Sequence, residues 1–192
     1  MAKRILVAYD TIHGSTAEIA EFVGKELIEE GNVVEVHRVT EVTDVNSYQA
    51  VVVGSPVKIE NWTEDAVDFL SRHKQALSQR PIAMFFTCLA TLKRTPEDGL
   101  GRVMTHYVSP LLEQFPDLKP VSIGVFTGVL DYNKYTEEGA AGIRRFMSER
   151  GAPVEGRHDC RDWQAIRVWS KEVSTRLETS KGEWVVVATG QR

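Results

Sequence analysis

The chain is poor in cysteine, has no excess of basic charge and contains no long apolar run. Each shortage weakens the case for one class of protein. Its two cysteines, Cys88 and Cys160, form no CxxC pair and no metal-ligand cluster. That argues against a disulfide framework or a structural zinc site and fits a reducing cytoplasm. A formal net charge of −4 supplies no electrostatic footprint for nucleic acid. No apolar stretch is long enough to span a bilayer, so no integral membrane segment is expected and any membrane contact is peripheral. Met-Ala-Lys-Arg leads straight into the short apolar segment 5–9, without the longer apolar region and cleavage site of a secretory signal. Both GxGxxG and GxxxxGK[ST] are missing, which disfavours a dinucleotide or a nucleoside triphosphate as ligand.

What is present is a βα alternation. The 192 residues suffice for one domain with a full core. β-rich runs occur at 4–9, 33–39, 50–54, 82–87 and 121–127. All but the second are almost continuously apolar, as strands buried on both faces must be. Helical spacing marks 15–30, with Ile19, Ala20, Val23 and Leu27 on one side and Gly31 as the stop. It recurs at 63–79, at about 98–115 with an interruption at Pro110, and at 162–177 through Trp163, Ile166, Trp169, Val173 and Leu177. This pattern predicts an α/β domain over residues 1–179 with a doubly wound, five-stranded parallel sheet of order 2-1-3-4-5. Residues 134–150 read as a helix in an inserted arm of about 131–158, before the last helix. The tail 180–192 carries Trp184-Val185-Val186-Val187. This reads as a strand that could pair with a sheet edge or a second subunit, or as a disordered end.

The strongest local motif is Thr11-Ile12-His13-Gly14-Ser15-Thr16, followed by Ala20, directly after the first strand. A helix starting there offers free N–H groups and the positive end of its dipole to an anion. Gly14 lets the backbone curl, and three hydroxyls add donors. The same residues also fit a capping box, Ser15-x-x-Glu18, which needs no ligand. His13 is either part of the cradle or an exposed loop residue.

The run from Val7 to Ala20 resembles the flavodoxin signature, an apolar strand followed by Thr-x-x-Gly-x-Thr-x-x-x-Ala. The resemblance implies a flavodoxin-like fold and an FMN cofactor, with Thr11, His13, Gly14, Ser15 and Thr16 around its phosphate. Two further loops are expected to hold the ring. The first carries Ser55, Pro56, Val57, Lys58 and Trp62, where Trp62 either lies against the ring or packs in the core. The second carries Thr87, Cys88, Leu89 and Ala90 and lacks the stacking tyrosine that is usual in electron-carrier flavodoxins. Cys88 reads as a small buried thiol. Lys58, Lys93 and Arg94 outnumber Glu60 in these loops, a setting that favours reduced, anionic flavin.

Lys93-Arg94-Thr95-Pro96, the run from Gly128 to Tyr135, and Asp162-Trp163 are similar to the menaquinone-dependent protoporphyrinogen oxidase family. Asp162-Trp163 also reads as an N-cap followed by a core aromatic. The resemblance implies transfer of electrons from a reduced tetrapyrrole through FMN to a quinone, with no catalytic side chain. Lys93, Arg94, Tyr132 and Tyr135 are then candidates for substrate contact. Lys58 and the Arg144-Arg145 pair are further cations for substrate carboxylates, although that pair reads equally as a solvated helix face. The arm's Thr136-to-Gly142 run is neither basic nor apolar. Two other readings stand beside this one: an electron carrier serving a redox protein, and a flavin-free interaction module. A homodimer is compatible with all three.

Overall fold

A computed structural model of the protein describes residues 2–92, 96–149, 151–179 and 185–188. The strands are β1 (Arg4–Tyr9), β2 (Val33–Arg38), β3 (Ala50–Lys58), β4 (Asn61–Trp62), β5 (Ile82–Thr87), β6 (Pro120–Phe126), β7 (Val129–Asp131), β8 (Arg157–Asp159) and β9 (Val185–Ala188). The helices are α1 (Ser15–Glu29), α2 (Glu64–Ser78), α3 (Pro96–Val103), α4 (Ser109–Gln114), α5 (Glu137–Ser148) and α6 (Trp163–Thr179). The main sheet runs β2-β1-β3-β5-β6-β9. Every pair along that path is parallel.

The apolar strands are buried on both faces because alternate residues point to opposite layers. Leu6, Val51, Val53, Met84 and Phe86 meet Phe69 and Leu70 of α2 and Leu111 of α4. Their neighbours Ile5, Val7, Val52, Ala83 and Phe85 meet Ile19 and Val23 of α1 and Trp169 and Val173 of α6. Trp169 is fully buried, and its indole Nε1 donates to Ser122 Oγ at 3.0 Å. Gly54 is required where β3 passes the ring of Phe85, because a Cβ there would lie 1.9 Å from a ring carbon.

Four sequence expectations are modified. The sheet has a sixth parallel strand, since Val185–Ala188 pairs with residues Ser122 to Val125 of β6 in its own chain. Strand β3 does not stop at Gly54 but continues to Lys58. It then reverses through Ile59 and Glu60, both at positive φ (48° and 65°), into the antiparallel β4. The helix around Pro110 is continuous in path: a π-helical turn, Met104–Val108, joins α3 to α4. Such a turn accommodates a register change, and Pro110 sits in the first turn of α4, directly after it. In the arm, helix α5 begins only after Thr136, whose Oγ1 accepts from Gly139 N at 3.2 Å. Before it, residues Tyr132–Lys134 form a 3₁₀ turn. Strands β7 and β8 pair antiparallel and form the stem of the arm.

Candidate functional site

The parallel sheet brings the loops after β1, β3 and β5 to one end, and a cleft of about 950 Å³ opens there. This volume is at the upper end of the range for small-molecule sites, roughly 300–1,000 Å³. The first wall is the phosphate-type loop. Helix α1 is capped by Gly14 at φ 99°, with no side-chain capping bond. The capping box is therefore not formed: Ser15 is the first helical residue, and Glu18 turns away to pair with Arg161 at 2.6 Å. This leaves the helix N-terminus to an external anion. Thr11 Oγ1 accepts from Gly14 N at 3.0 Å and so closes the loop rather than facing the cleft. His13, Ser15 and Thr16 line the cleft. The Thr16 hydroxyl is shared with Thr87 at 2.7 Å, which ties the loop to the end of β5. Gly14 itself is not among the residues lining the cleft, and its positive φ rather than any crowding is what favours glycine there.

The second wall is the end of β3. Pro56, Val57 and Lys58 line the cleft, as do Ile59 and Glu60 of the turn. Ser55 does not: it is fully buried, and its Oγ accepts from Thr63 N at 3.3 Å. Trp62 is also withdrawn. It is 5% exposed, pairs with Val57 across the β3–β4 turn, and packs its ring 4.9 Å from that of Phe86. Of the two readings of Trp62, the core reading describes its position, because the tight reversal at Ile59 and Glu60 folds the indole back over the sheet. Ile59 takes the rim position instead, 86% exposed.

The third wall is Thr87, Cys88, Leu89 and Ala90, all of which line the cleft. Burial pushes the Cys88 thiol up to about 11, so it is a neutral wall group at neutral pH. Further walls come from residues that the sequence reading did not assign to the site. Tyr107 and Arg102 reach in from the π turn and α3, and Ile143 and Phe146 from α5. Arg102 pairs with Glu60 across the rim at 2.7 Å.

The candidate substrate residues fare differently. Tyr135 lines the cleft, its ring edge-on to His13 with centroids 5.0 Å apart. Tyr132 does not: it is 5% exposed, donates its hydroxyl to Pro153 O at 3.0 Å, and packs in the arm's own cluster under the Arg144 guanidinium. It opens the 3₁₀ turn Tyr132–Lys134 and shares its cluster with Leu130 and Met147. Arg144 is held by Glu137 at 3.2 Å and Arg145 by Glu149 at 3.3 Å, both outside the cleft lining. Lys93 and Arg94 lie outside the described residues. Asp162 caps α6, its Oδ1 accepting from Ala165 N at 2.9 Å.

A doubly wound parallel sheet, a helix N-terminus without a side-chain cap after β1 and a cleft with apolar and polar walls beyond β3 and β5 fit a flavoprotein of the flavodoxin class. The sequence matches a flavodoxin domain over residues 6–155. The chain belongs to the flavodoxin family, and FMN is its cofactor. It is 25% identical over 176 residues to the protoporphyrinogen IX dehydrogenase [quinone] of Escherichia coli, covering 89% of this chain and 94% of the relative. Among solved structures, a flavodoxin WrbA-like protein of Agrobacterium tumefaciens superposes with a TM-score of 0.51 at 13% identity, over 94% of this chain and 100% of that one. A flavo-diiron protein of Thermotoga maritima gives 0.56 at 14% identity, over 91% of this chain but only 36% of that one. These superpositions carry the fold alone.

Proposed function

We propose that this FMN-dependent oxidoreductase takes electrons from a reduced, tetrapyrrole-like small molecule and passes them to a quinone-like acceptor. The observation that carries the reading is the roof of the cleft. Tyr107, Tyr135, Ile143 and Phe146 add apolar and aromatic walls beyond the three flavin loops. A protein that hands electrons to a protein partner needs an open ring edge, whereas a flat small molecule needs such walls. The 25% identity to the E. coli dehydrogenase supports the same donor and acceptor classes.

FMN supplies the redox chemistry when bound. The chain's residues bind and orient. The end of α1 and its hydroxyls receive the phosphate, Val57, Cys88 and Leu89 supply wall groups for the ring, and Tyr135 and Phe146 form a wall for a second planar molecule. At the rim, Lys58 and Arg102 are cations for substrate carboxylates, Arg102 exchanging its bond to Glu60 for one to substrate. We place the protein in the cytoplasm with at most peripheral membrane contact. Among the described residues no helix is long and apolar enough to cross a membrane.

The test begins with the visible spectrum with and without added FMN, followed by oxidation of protoporphyrinogen with a menaquinone analogue as acceptor. Turnover dependent on FMN supports the reading. Reduction of a redox protein without turnover of either small molecule would make the chain an electron carrier. A colourless protein unable to take up FMN would remove both.

A further inference from the structure

The phosphate loop has no charge of its own to set against a phosphate. It offers the N-terminus of α1, Gly14 and hydroxyl groups. Its titratable residue, His13, is pushed down from its ordinary value by burial and then by the Lys134 ammonium, so it is a neutral imidazole at pH 7. A phosphate monoester carries about −1.5 to −2 charges at that pH. Among the described residues, the lysines and arginines lining the cleft are Lys58, Arg102 and Lys134. Arg102 is bound to Glu60, and Lys58 ends β3 beside the left-handed turn. Lys134 is different. It enters from the arm, and its Nζ donates to the carbonyl oxygen of His13 at 2.7 Å, one residue before the Gly14 cap.

The backbone that delivers this ammonium is fixed at several points. Asp131 Oδ1 accepts from Asn133 N at 3.1 Å, and Tyr132 N donates to Gly156 O at 3.0 Å. Tyr135, the next residue, meets the His13 ring edge-on. The far end of the arm is tied to the same helix: Arg161, its side chain 4% exposed, bonds Asp159 of β8 at 2.5 Å and Glu18 of α1 at 2.6 Å. Both ends of the arm therefore converge on the first turn of α1.

We propose that Lys134 is a ligand of the FMN phosphate supplied by the arm, so that binding the cofactor and seating the arm over the cleft are one event. Lys134 exchanges the neutral His13 carbonyl for a phosphate oxygen, a stronger, charge-assisted partner. The arm is then held most firmly when the cofactor is present, and the roof over the substrate space is set by the far end of the flavin. This inference rests on FMN being the cofactor.

The experiment titrates FMN and riboflavin, which lacks the phosphate, into flavin-free wild-type, Lys134→Met and Lys134→Arg proteins, read by flavin fluorescence. The expected result is a roughly tenfold loss of FMN affinity in Lys134→Met with riboflavin affinity unchanged, and most of the affinity kept in Lys134→Arg. Hydrogen exchange supplies the second readout. FMN should slow exchange in residues 137–148 more than riboflavin does, and Lys134→Met should erase that difference. Equal losses for both flavins would make Lys134 a structural tether and overturn the proposal, as would no loss for FMN. Equal protection of 137–148 by the two flavins would overturn the coupling. Failure of the wild type to bind FMN would instead refute the cofactor itself.

Discussion

The core between the sheet and α1/α6 and the small cluster beneath α5 are both apolar, yet they are held in different ways. In the first, fully buried rings interlock: Trp169 lies edge-on to Phe126 at 5.3 Å and to Phe85 at 6.0 Å. In the second, the buried members are Leu130, Tyr132, Ala140 and Met147, with partly buried neighbours around them, and polar ties through Tyr132 and Lys134 add to the positioning. The difference separates stability from function. The interlocked side can hardly change without unfolding, whereas the arm, with fewer buried apolar residues, should exchange by local opening at a lower free energy.

The largest test of this contrast is Trp169→Ala. It should cost about 3–5 kcal/mol by denaturant unfolding, because it leaves a cavity and removes the indole bond to Ser122. A loss well under 1 kcal/mol would erase the distinction. Next is Met147→Ala in the arm. It should release about 2 kcal/mol locally, seen as faster exchange in 137–148 with the global unfolding midpoint nearly unmoved. A matching drop in the midpoint would mean that arm and core unfold together. A smaller effect is expected at the rim: Arg102→Met should raise KM for a carboxylate-bearing substrate roughly threefold to tenfold at unchanged kcat. An unchanged KM would leave Arg102 as the partner of Glu60 and nothing more.

The smallest effect is in acid, far from the cleft. The Tyr48 hydroxyl and then the Arg4 guanidinium, each 2.6 Å from a Glu35 oxygen, hold that carboxyl down at about 2 against an ordinary 4.5. A depressed acid contributes stability above its unfolded value and loses it as pH falls through the folded one. The contribution of Glu35 should therefore fade between about pH 4.5 and 2. Glu35→Gln should flatten the unfolding curve in that window alone, and a change confined to neutral pH would contradict the assignment.

The parts of the molecule built on local pattern were legible in the sequence. Doubly buried strands read as apolar runs, the helices showed their spacing, and the loop from Thr11 to Thr16 marked the start of the first helix. What escaped depended on three-dimensional reach. Trp62 was a fair candidate for a flavin wall until a left-handed turn at two non-glycine residues turned it inward. Tyr107 is carried by a π turn, which helical periodicity does not reveal. Phe146 and Lys134 belong to the arm, whose stem of β7 and β8 brings it back over α1. No local spacing encodes that return. Residues 184–187 signalled a strand, but its partner was set by a pairing across the whole arm and α6.

That last pairing has a kinetic consequence. The arm and α6 lie between β6 and β9 in sequence, and a contact so distant along the chain carries a large loop-closure cost before it gives anything back. Without β9, β6 would be a bare edge of apolar sheet, the kind of surface that recruits other chains. Refolding at high concentration should therefore be most vulnerable late, after the sheet has formed and before its final strand has closed.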